Sequence, residues 1–539
     1  MSQALDREAP IPRSGRRTML RPRGAVLVAF YIAVAGVALL PVFLVDVPPL
    51  VDYPNHLARM HILAHRDEIP ALQQIYDIDW SLHPNMAMDL IVPLLARSMS
   101  VFAAGKLFVA ASMLSLLVGT LVLRKALIGR VGLWPVLAIL LLYNAALFWG
   151  FLNYLFTAGL ALMAFGAWIA LRDRSVWLRG TVFPCLTFAL YAGHLMGLFV
   201  YGILVFGYEA WRWRQKPAAA SGGVAEWAPS VAQFVLPAAL FLNWSAGKPA
   251  DAPAINEYGA LAVKLAALVS PASFGLPFVD IPTVAFLGIA IVACRSSPSV
   301  GLTPAVRLPL LLLALCAVVM PNYLMSVWGV DLRLPMIVGC VLIAGTRFDS
   351  GSERLEFGLV AAAIFLVILR VGAVSNSWSQ FDADFKEFRE RIAVLEPGTT
   401  LLVVEDPADL PEGKLPSHSN SYWHMAALAV IDRAVFLPTL FTGHTAIRAA
   451  PAYQIIDTQV GTPLTRRQLL ADAIPHVPTG HRLNRFYRAY WSGWSDHFDY
   501  VLVIRFGNLS NPDPERLRRR LRGSYFDLYR VLKPSRPGP

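Results

Sequence analysis

Apolar runs of about 17 to 22 residues with almost no charge recur through the first two thirds of the sequence, and each is long enough as a helix to cross a hydrocarbon core roughly 30 Å thick. That single pattern constrains the fold most, because it reads as a polytopic α-helical membrane protein. Composition agrees: 56% of the 539 residues are hydrophobic, 15% are charged, and the mean hydropathy is +0.51. A soluble enzyme of this length, a disordered chain, a collagen and a disulfide-stapled secreted scaffold are all excluded. Cys185, Cys294, Cys316 and Cys340 sit inside or at the ends of apolar runs, as small packing residues do.

The charge distribution predicts an orientation. Lys and Arg outnumber Asp and Glu by 47 to 36, a net charge of +11 that places basic residues in short loops instead of marking a nucleic-acid binder. Residues 1–23 form a basic tail, expected in the cytoplasm, and 24–45 the first outward span and anchor; this run is longer than a signal-peptide core and lacks a small-residue cleavage site. Further spans are expected at 106–123, 132–150, 153–171, 180–194, 196–211, 230–246, 281–294, 307–323, 335–346 and 356–374, about eleven in all. With that count the basic loops at 124–130, 172–179, 212–216, 295 and 347–354 fall on one side, and the C-terminus is exported. Residues 86–100 are apolar but short and carry Asp89 and Arg97, so they are expected at the outer interface, not across the membrane. Between 176 and 211 one long tilted helix competes with two short ones.

Three segments follow: the tail 1–23, a transmembrane core 24–375 that includes an outer loop at 46–105, and an extracytoplasmic α/β domain over 376–539, where the composition becomes ordinary and globular. Within the last, 381–395 and 422–431 read as helices and 399–404, 500–504 and 525–532 as strands. The chain is expected in an inner or plasma membrane. It shows no internal repeat, which weighs against a secondary transporter.

Chemistry-bearing residues gather just after the first span, in VDVPPLVDYPNHLAR and DIDWSLHPNMAMDL. Asp46 and Asp52 are two carboxylates in this loop. Asp52 opens an amphipathic helix in which His56 and Arg59 lie on nearly one face with it. A carboxylate beside the membrane surface can take a proton from an incoming hydroxyl. The competing role for Asp52 is an ordinary helix N-cap.

This arrangement resembles the GT-C superfamily of integral-membrane glycosyltransferases that use polyprenyl-phosphate sugars. The resemblance rests on Asp52 in the first outer loop after an N-in span, on His83 and Pro84 in an HP segment leading an interfacial helix, on the multi-span core, and on the region after 376. It covers the whole chain as architecture but only a short outer stretch as motif. It implies inverting transfer of a sugar to a glycan, lipid or protein acceptor, with the acidic residue as general base. The adjacent acidic pair of many members is missing here, since Tyr53 follows Asp52. That leaves Asp46 as the alternative base, with Asp52 preferred because it begins the helix carrying His56 and Arg59.

A lipid-phosphate donor requires cations near the outer surface. Arg333 in VWGVDLRLP and His194 in YAGHLMG are the candidates, with Arg59 as a third. Snorkelling or pairing with Asp331 is the competing account of Arg333, and an interhelical hydrogen bond that of His194. Asn153 and Tyr154, in WGFLNYLF, and Asp89 are expected to line the same cavity together with His56 and His83, although turn formation also accounts for Asn153, and capping or surface solvation for Asp89. In the exported region, Arg485, Tyr487, Arg488, Tyr490, Trp491 and Trp494 suit carbohydrate or headgroup contact, or an aromatic packing cluster. His424 reads as a cap or core residue. Neither a cofactor nor a metal site is read from the sequence, and a divalent-ion requirement is left open. Expected partners are a polyprenyl-phosphate-linked sugar, its acceptor and membrane lipids, with no nucleic acid. A transporter or flippase of a lipid-linked glycan is the alternative function, using the same polar groups without transfer chemistry.

Overall fold

The computed structural model describes residues 24–215, 224–246, 256–325, 327–405, 420–442, 446–458, 463–470, 490–505 and 510–533. The basic tail, Arg485, Tyr487 and Arg488 lie outside the described residues. In chain order the helices begin with α1 (Gly24–Leu44), α2 (Tyr53–His65), α3 (Pro70–Ile75), α4 (Ala87–Ala96), α5 (Val101–Ile128), α6 (Ala145–Phe148), α7 (Leu152–Ala170) and α8 (Val176–Gly193). They continue with α9 (Leu195–Gln215), α10 (Val224–Ala232), α11 (Val235–Ala246), α12 (Leu261–Val269), α13 (Pro277–Ser296), α14 (Pro304–Val319), α15 (Leu334–Gly345) and α16 (Glu353–Arg391).

Among the described residues, five helices are both long and apolar enough to cross a membrane: α1, α5, α7, α13 and α16. The other expected spans fall on shorter, interrupted or less apolar helices. Residues 132–150 form a buried 3-10 stretch, Trp134–Leu141, followed by α6, because the Asn144 side chain accepts from Leu147 N–H at 2.9 Å and caps a new turn. The stretch 230–246 breaks between α10 and α11, where buried Gln233 binds the Tyr201 hydroxyl at 2.8 Å and accepts from Thr187 Oγ1 at its carbonyl, 2.6 Å. Residues 176–211 are two helices, separated at His194, whose extended backbone (φ −171°) ends α8. At 10 residues and about 1.5 Å per residue, α4 is too short to cross.

Packing follows the small residues. α5 and α7 lie against each other closely enough that a Cβ on Gly159 would stand 2.3 Å from the Ser115 backbone carbon, and Ser112 and Ser115 hydroxyls donate to α7 carbonyls at 3.4 and 3.3 Å. α1 buries only a stripe, Tyr31, Ala35, Ala38, Pro41 and Val42, and leaves most of the rest of its apolar surface exposed. On the opposite side of that stripe sits Tyr143, which donates to Ala38 O at 2.6 Å.

α16 continues without a break past residue 376, so the core and the C-terminal region share a helix. That region carries a four-stranded mixed sheet. Its strands are β6 (Leu401–Glu405), β8 (Tyr500–Ile504), β10 (Phe526–Val531) and β9 (Leu517–Arg522), in the order β6-β8-β10-β9, with β6 and β8 parallel and the rest antiparallel. The remaining short strands are β1 (Tyr76–Ile78), β2 (Val300–Leu302), β3 (Tyr323–Leu324), β4 (Val327–Trp328), β5 (Thr346–Phe348) and β7 (Ile447–Ala449). β1, from the outer loop, pairs antiparallel with β7, from the C-terminal region. Together with Ser421 Oγ donating to Pro49 O (3.0 Å) and Tyr76 Oη accepting from Leu437 N–H (3.1 Å), this pairing seats the C-terminal region on the loop that follows α1.

Candidate active site

Asp52 is positioned by a backbone clasp. Val51 and Asp52 N–H donate to Phe148 O (3.0 Å) and Trp149 O (3.2 Å), which is possible only because the next residue is glycine: Gly150 has φ +83°, and a Cβ there would lie 3.1 Å from Asp52 Cβ and from its backbone nitrogen. Pro54 then starts α2 with its fixed φ. The Asp52 side chain makes no capping bond to that helix, so its carboxylate is not used as an N-cap; the side chain is 20% exposed.

What faces it comes from the C-terminal region. His424 Nε2 stands 3.5 Å from Asp52 Oδ1. The proton on that nitrogen follows from fully buried Asn55, one helical turn from Asp52. Phe441 N–H donates to Asn55 Oδ1 at 2.9 Å, which fixes the amide's orientation. Asn55 Nδ2 must then donate to Thr439 O (2.8 Å) and to His424 Nδ1 (3.1 Å). A His424 that accepts at Nδ1 carries its hydrogen on Nε2, aimed at Asp52.

A second wall holds the cation. Arg333 caps α15, is 4% exposed, and does not snorkel. Its guanidinium lies 4.3 Å above the Phe151 ring and 6.0 Å from that of Tyr154, one terminal nitrogen donates to Trp328 O at 3.2 Å, and Nε has no partner. Tyr154 Oη donates to the Arg333 carbonyl at 2.5 Å. The fields of Asp52 and Asp331 both reach Arg333. Asp331 is nevertheless committed elsewhere, to Lys264 at 3.3 Å and Asn322 at 3.1 Å, so the competing account of an Arg333–Asp331 pair does not hold. His194 packs edge-on to Tyr154 with ring centroids 5.7 Å apart and accepts from Met196 N–H at Nδ1, 3.1 Å. Asp52, Arg333, Tyr154 and His194 are thus brought together.

The other candidates support this group or lie apart. Arg59 is buried and clamped to Asp89, also buried; Asp89 is therefore neither a cap nor a solvated charge, and Arg59 meets a protein carboxylate while its Nε keeps no hydrogen-bond partner. His56 lies 3.3 Å from Arg59, and burial, then the Arg59 charge, hold its imidazole well below the usual range, so it is neutral. Asn153 is not a turn residue: inside α7, it accepts from Met88 N–H (2.7 Å) and donates to Asn85 (2.8 Å), tying α4 to the bundle. His83 is buried, with Nδ1 2.9 Å from Ser81 O, and among the described residues no hydrogen bond or ion pair joins it to Asp52. Asp46 lies in an open groove of about 480 Å³ with Lys386, Arg389 and Arg433, and pairs with Lys386 at 3.5 Å. Tyr490, Trp491 and Trp494 are buried, and Trp494 Nε1 donates to Leu469 O at 3.1 Å, so these three rings are packing.

Sequence reading missed the aromatic wall. Trp149 meets Trp328 at 4.4 Å and Trp423 at 5.9 Å between centroids, and all three are half-buried around Asp52 and Arg333. The available signal was the repeated Trp-Gly: Trp149-Gly150 and Trp328-Gly329 both place a left-handed glycine after the ring, and a Cβ on Gly329 would sit 3.3 Å from Phe151. His424 carried no such signal, because its partner is 372 residues away. Among the described residues no group of three or more His, Cys, Asp or Glu gathers as a metal site would require.

No protein-family model and no curated protein matches the sequence. Among solved structures, ArnT from Cupriavidus metallidurans, determined with bound undecaprenyl phosphate, superposes with a TM-score of 0.50 over 94% of this chain and 98% of that chain, at 12% identity. The chain has the ArnT fold. The expected GT-C-like architecture therefore holds as a fold.

Proposed function

We propose that this chain is a multi-pass membrane glycosyltransferase that moves a sugar from a polyprenyl-phosphate donor to an acceptor at the extracytoplasmic face of an inner or plasma membrane, with inversion. The observation that carries the reading is the carboxylate of Asp52: it is partly open, spends nothing on capping α2, and faces a neutral imidazole on one side and the field of a buried guanidinium on the other. The ArnT fold, found with undecaprenyl phosphate in that neighbour, supports a polyprenyl-linked donor.

In the proposed reaction the acceptor hydroxyl gives its proton to Asp52 as its oxygen attacks the anomeric carbon. The bond from that carbon to the phosphate oxygen breaks, and the lipid phosphate leaves with the electron pair. Arg333, whose Nε is unpartnered, neutralises the departing phosphate, and the half-buried Trp149, Trp328 and Trp423 flank the sugar. His424 is a positioning residue: by holding one carboxylate oxygen through Nε2–H, it leaves the other to face the acceptor. Asp46, paired with Lys386 on the surface groove, is the weaker base. Transfer from radiolabelled polyprenyl-phosphate sugars in membranes tests the reading. Asp52→Asn should abolish transfer, Asp46→Asn should retain it, and His424→Gln should lower kcat and shift the pH profile of the remaining activity. Normal transfer by folded Asp52→Asn overturns it.

A further inference from the structure

At the end of the bundle away from Asp52, where α7 finishes, α8 begins and α9 finishes, a second group of charges is built that the transfer reaction does not use. Glu209 of α9 is buried, and both of its oxygens are spent: Oε1 accepts from Trp168 Nε1 at 2.9 Å and pairs with Arg172 Nε at 3.0 Å, and Oε2 accepts from an Arg172 terminal nitrogen at 3.3 Å. Arg179 of α8 lies beside this pair with its guanidinium carbon 4.2 Å above the Trp168 ring, and it is only 2% exposed. Its Nε and one terminal nitrogen are buried without a hydrogen-bond partner. A buried guanidinium left with donors unused is destabilising unless an anion reaches it, as any unpaired buried charge is.

The charges around it make an anion the fitting partner. Arg172 and Arg212 add to the positive field at Arg179; the described carboxylates acting on these guanidinium groups are Glu209, already paired, and exposed Asp173. Arg174 and Arg214 are exposed at the same end, and the neighbouring rings Trp177 and Trp213 are 85% and 58% exposed. Exposed tryptophans among arginines at a helix-bundle end belong at the level of lipid headgroups, where a phosphate is the abundant anion.

We infer that Arg179, stacked on Trp168 and flanked by Arg172 and Arg212, forms a phosphate-binding site at this end of the bundle, which takes the headgroup phosphate of an anionic phospholipid from the adjoining leaflet. The planar fork offers Nε–H and a terminal N–H side by side, the geometry that engages two phosphate oxygens. The site is independent of the transfer reading, because it shares no residue with the Asp52 group.

The test uses the full chain, delipidated in neutral detergent and reconstituted into nanodiscs of phosphatidylcholine alone or with phosphatidylglycerol, with retained lipid counted by native mass spectrometry. Arg179→Gln is compared with wild type and with Arg518→Gln, which removes an exposed charge on edge strand β9 of the C-terminal region. Elution on size exclusion and melting temperature report folding, and Arg179→Lys keeps the charge while losing the fork. Wild type and Arg518→Gln should retain phosphatidylglycerol over phosphatidylcholine, Arg179→Gln about tenfold less, and Arg179→Lys an intermediate amount. A parallel arm adds inorganic phosphate: displacement of the retained lipid by millimolar phosphate marks the shared site, whereas thermal stabilisation by phosphate with no selective lipid retention assigns free phosphate and overturns the lipid source. Equal retention by wild type and Arg179→Gln, or equal loss in Arg518→Gln, overturns the site.

Discussion

Asn55→Ala offers a sharp test of how the C-terminal region is fastened to the Asp52 loop. The wild-type amide is fully buried and satisfies three groups at once: Phe441 N–H at 2.9 Å, Thr439 O at 2.8 Å and His424 Nδ1 at 3.1 Å. Alanine removes all three partners without admitting new ones. Each orphaned buried group costs about 1–3 kcal/mol, and with partial relaxation the sum is about 3–5 kcal/mol of local stability. At 1.4 kcal/mol per decade that is roughly a hundred- to a few-thousandfold rise in the opening of the segment. Hydrogen-exchange mass spectrometry on peptides covering 436–442 reads it directly. Exchange there should accelerate by two decades or more while peptides from α5 and α7 remain as in wild type. Sugar transfer should fall in parallel, because His424 loses the acceptor bond that fixes its Nε2–H toward Asp52. If exchange across 436–442 changes by less than about threefold, the amide does not hold the region, and the tautomer argument for His424 fails with it.

Gly159→Val should unfold the bundle core, because a Cβ 2.3 Å from the Ser115 backbone forces α5 and α7 apart; a cost of about 3 kcal/mol or more should appear as a lowered melting temperature in detergent. Glu405 supplies a pH test. Burial pushes its carboxyl from 4.5 up to about 8, so its folded-state value is raised, and the stability it contributes is complete below pH 4.5 and lost as pH rises through 8. Glu405→Gln, which mimics the protonated acid, should match wild type at pH 4.5 and melt higher at pH 8.5, by an amount on the order of a few kcal/mol. Equal melting temperatures at pH 8.5 would show that the carboxylate finds a partner.

Much of the architecture was legible in the residues. Charge-free runs announce α1, α5, α7, α13 and α16, and the shortness of α4 follows from its length and charges, whereas the sequence left one long helix or two short ones open over 176–211. β6, β8 and β10 follow from apolar runs of strand length. The failures have physical causes. The stretch 132–150 has the composition of a span, yet buried Asn144 caps a turn within it, and burial by protein and burial by lipid select the same residues. β9, Leu517–Arg522, reads LRRRLR and lacks apolar alternation because it is an edge strand with arginines facing outward. At the site, local spacing identified Asp52 and the end-of-span position identified Arg333, but Asp331 pairing with Lys264 and Asp89 with Arg59 depend on contacts between segments. His424 is the extreme case, as no pattern near residue 424 points to an aspartate in the first outer loop.

The most direct measurement of the central claim is a cryo-EM map of the full chain with a polyprenyl phosphate bound. The headgroup phosphate should lie against the Arg333 guanidinium, within the enclosure of Trp149, Trp328 and Trp423, with Asp52 open toward the position a sugar would occupy. A phosphate found instead in the Asp46 groove beside Lys386 and Arg389, with Arg333 still covered, would contradict the account.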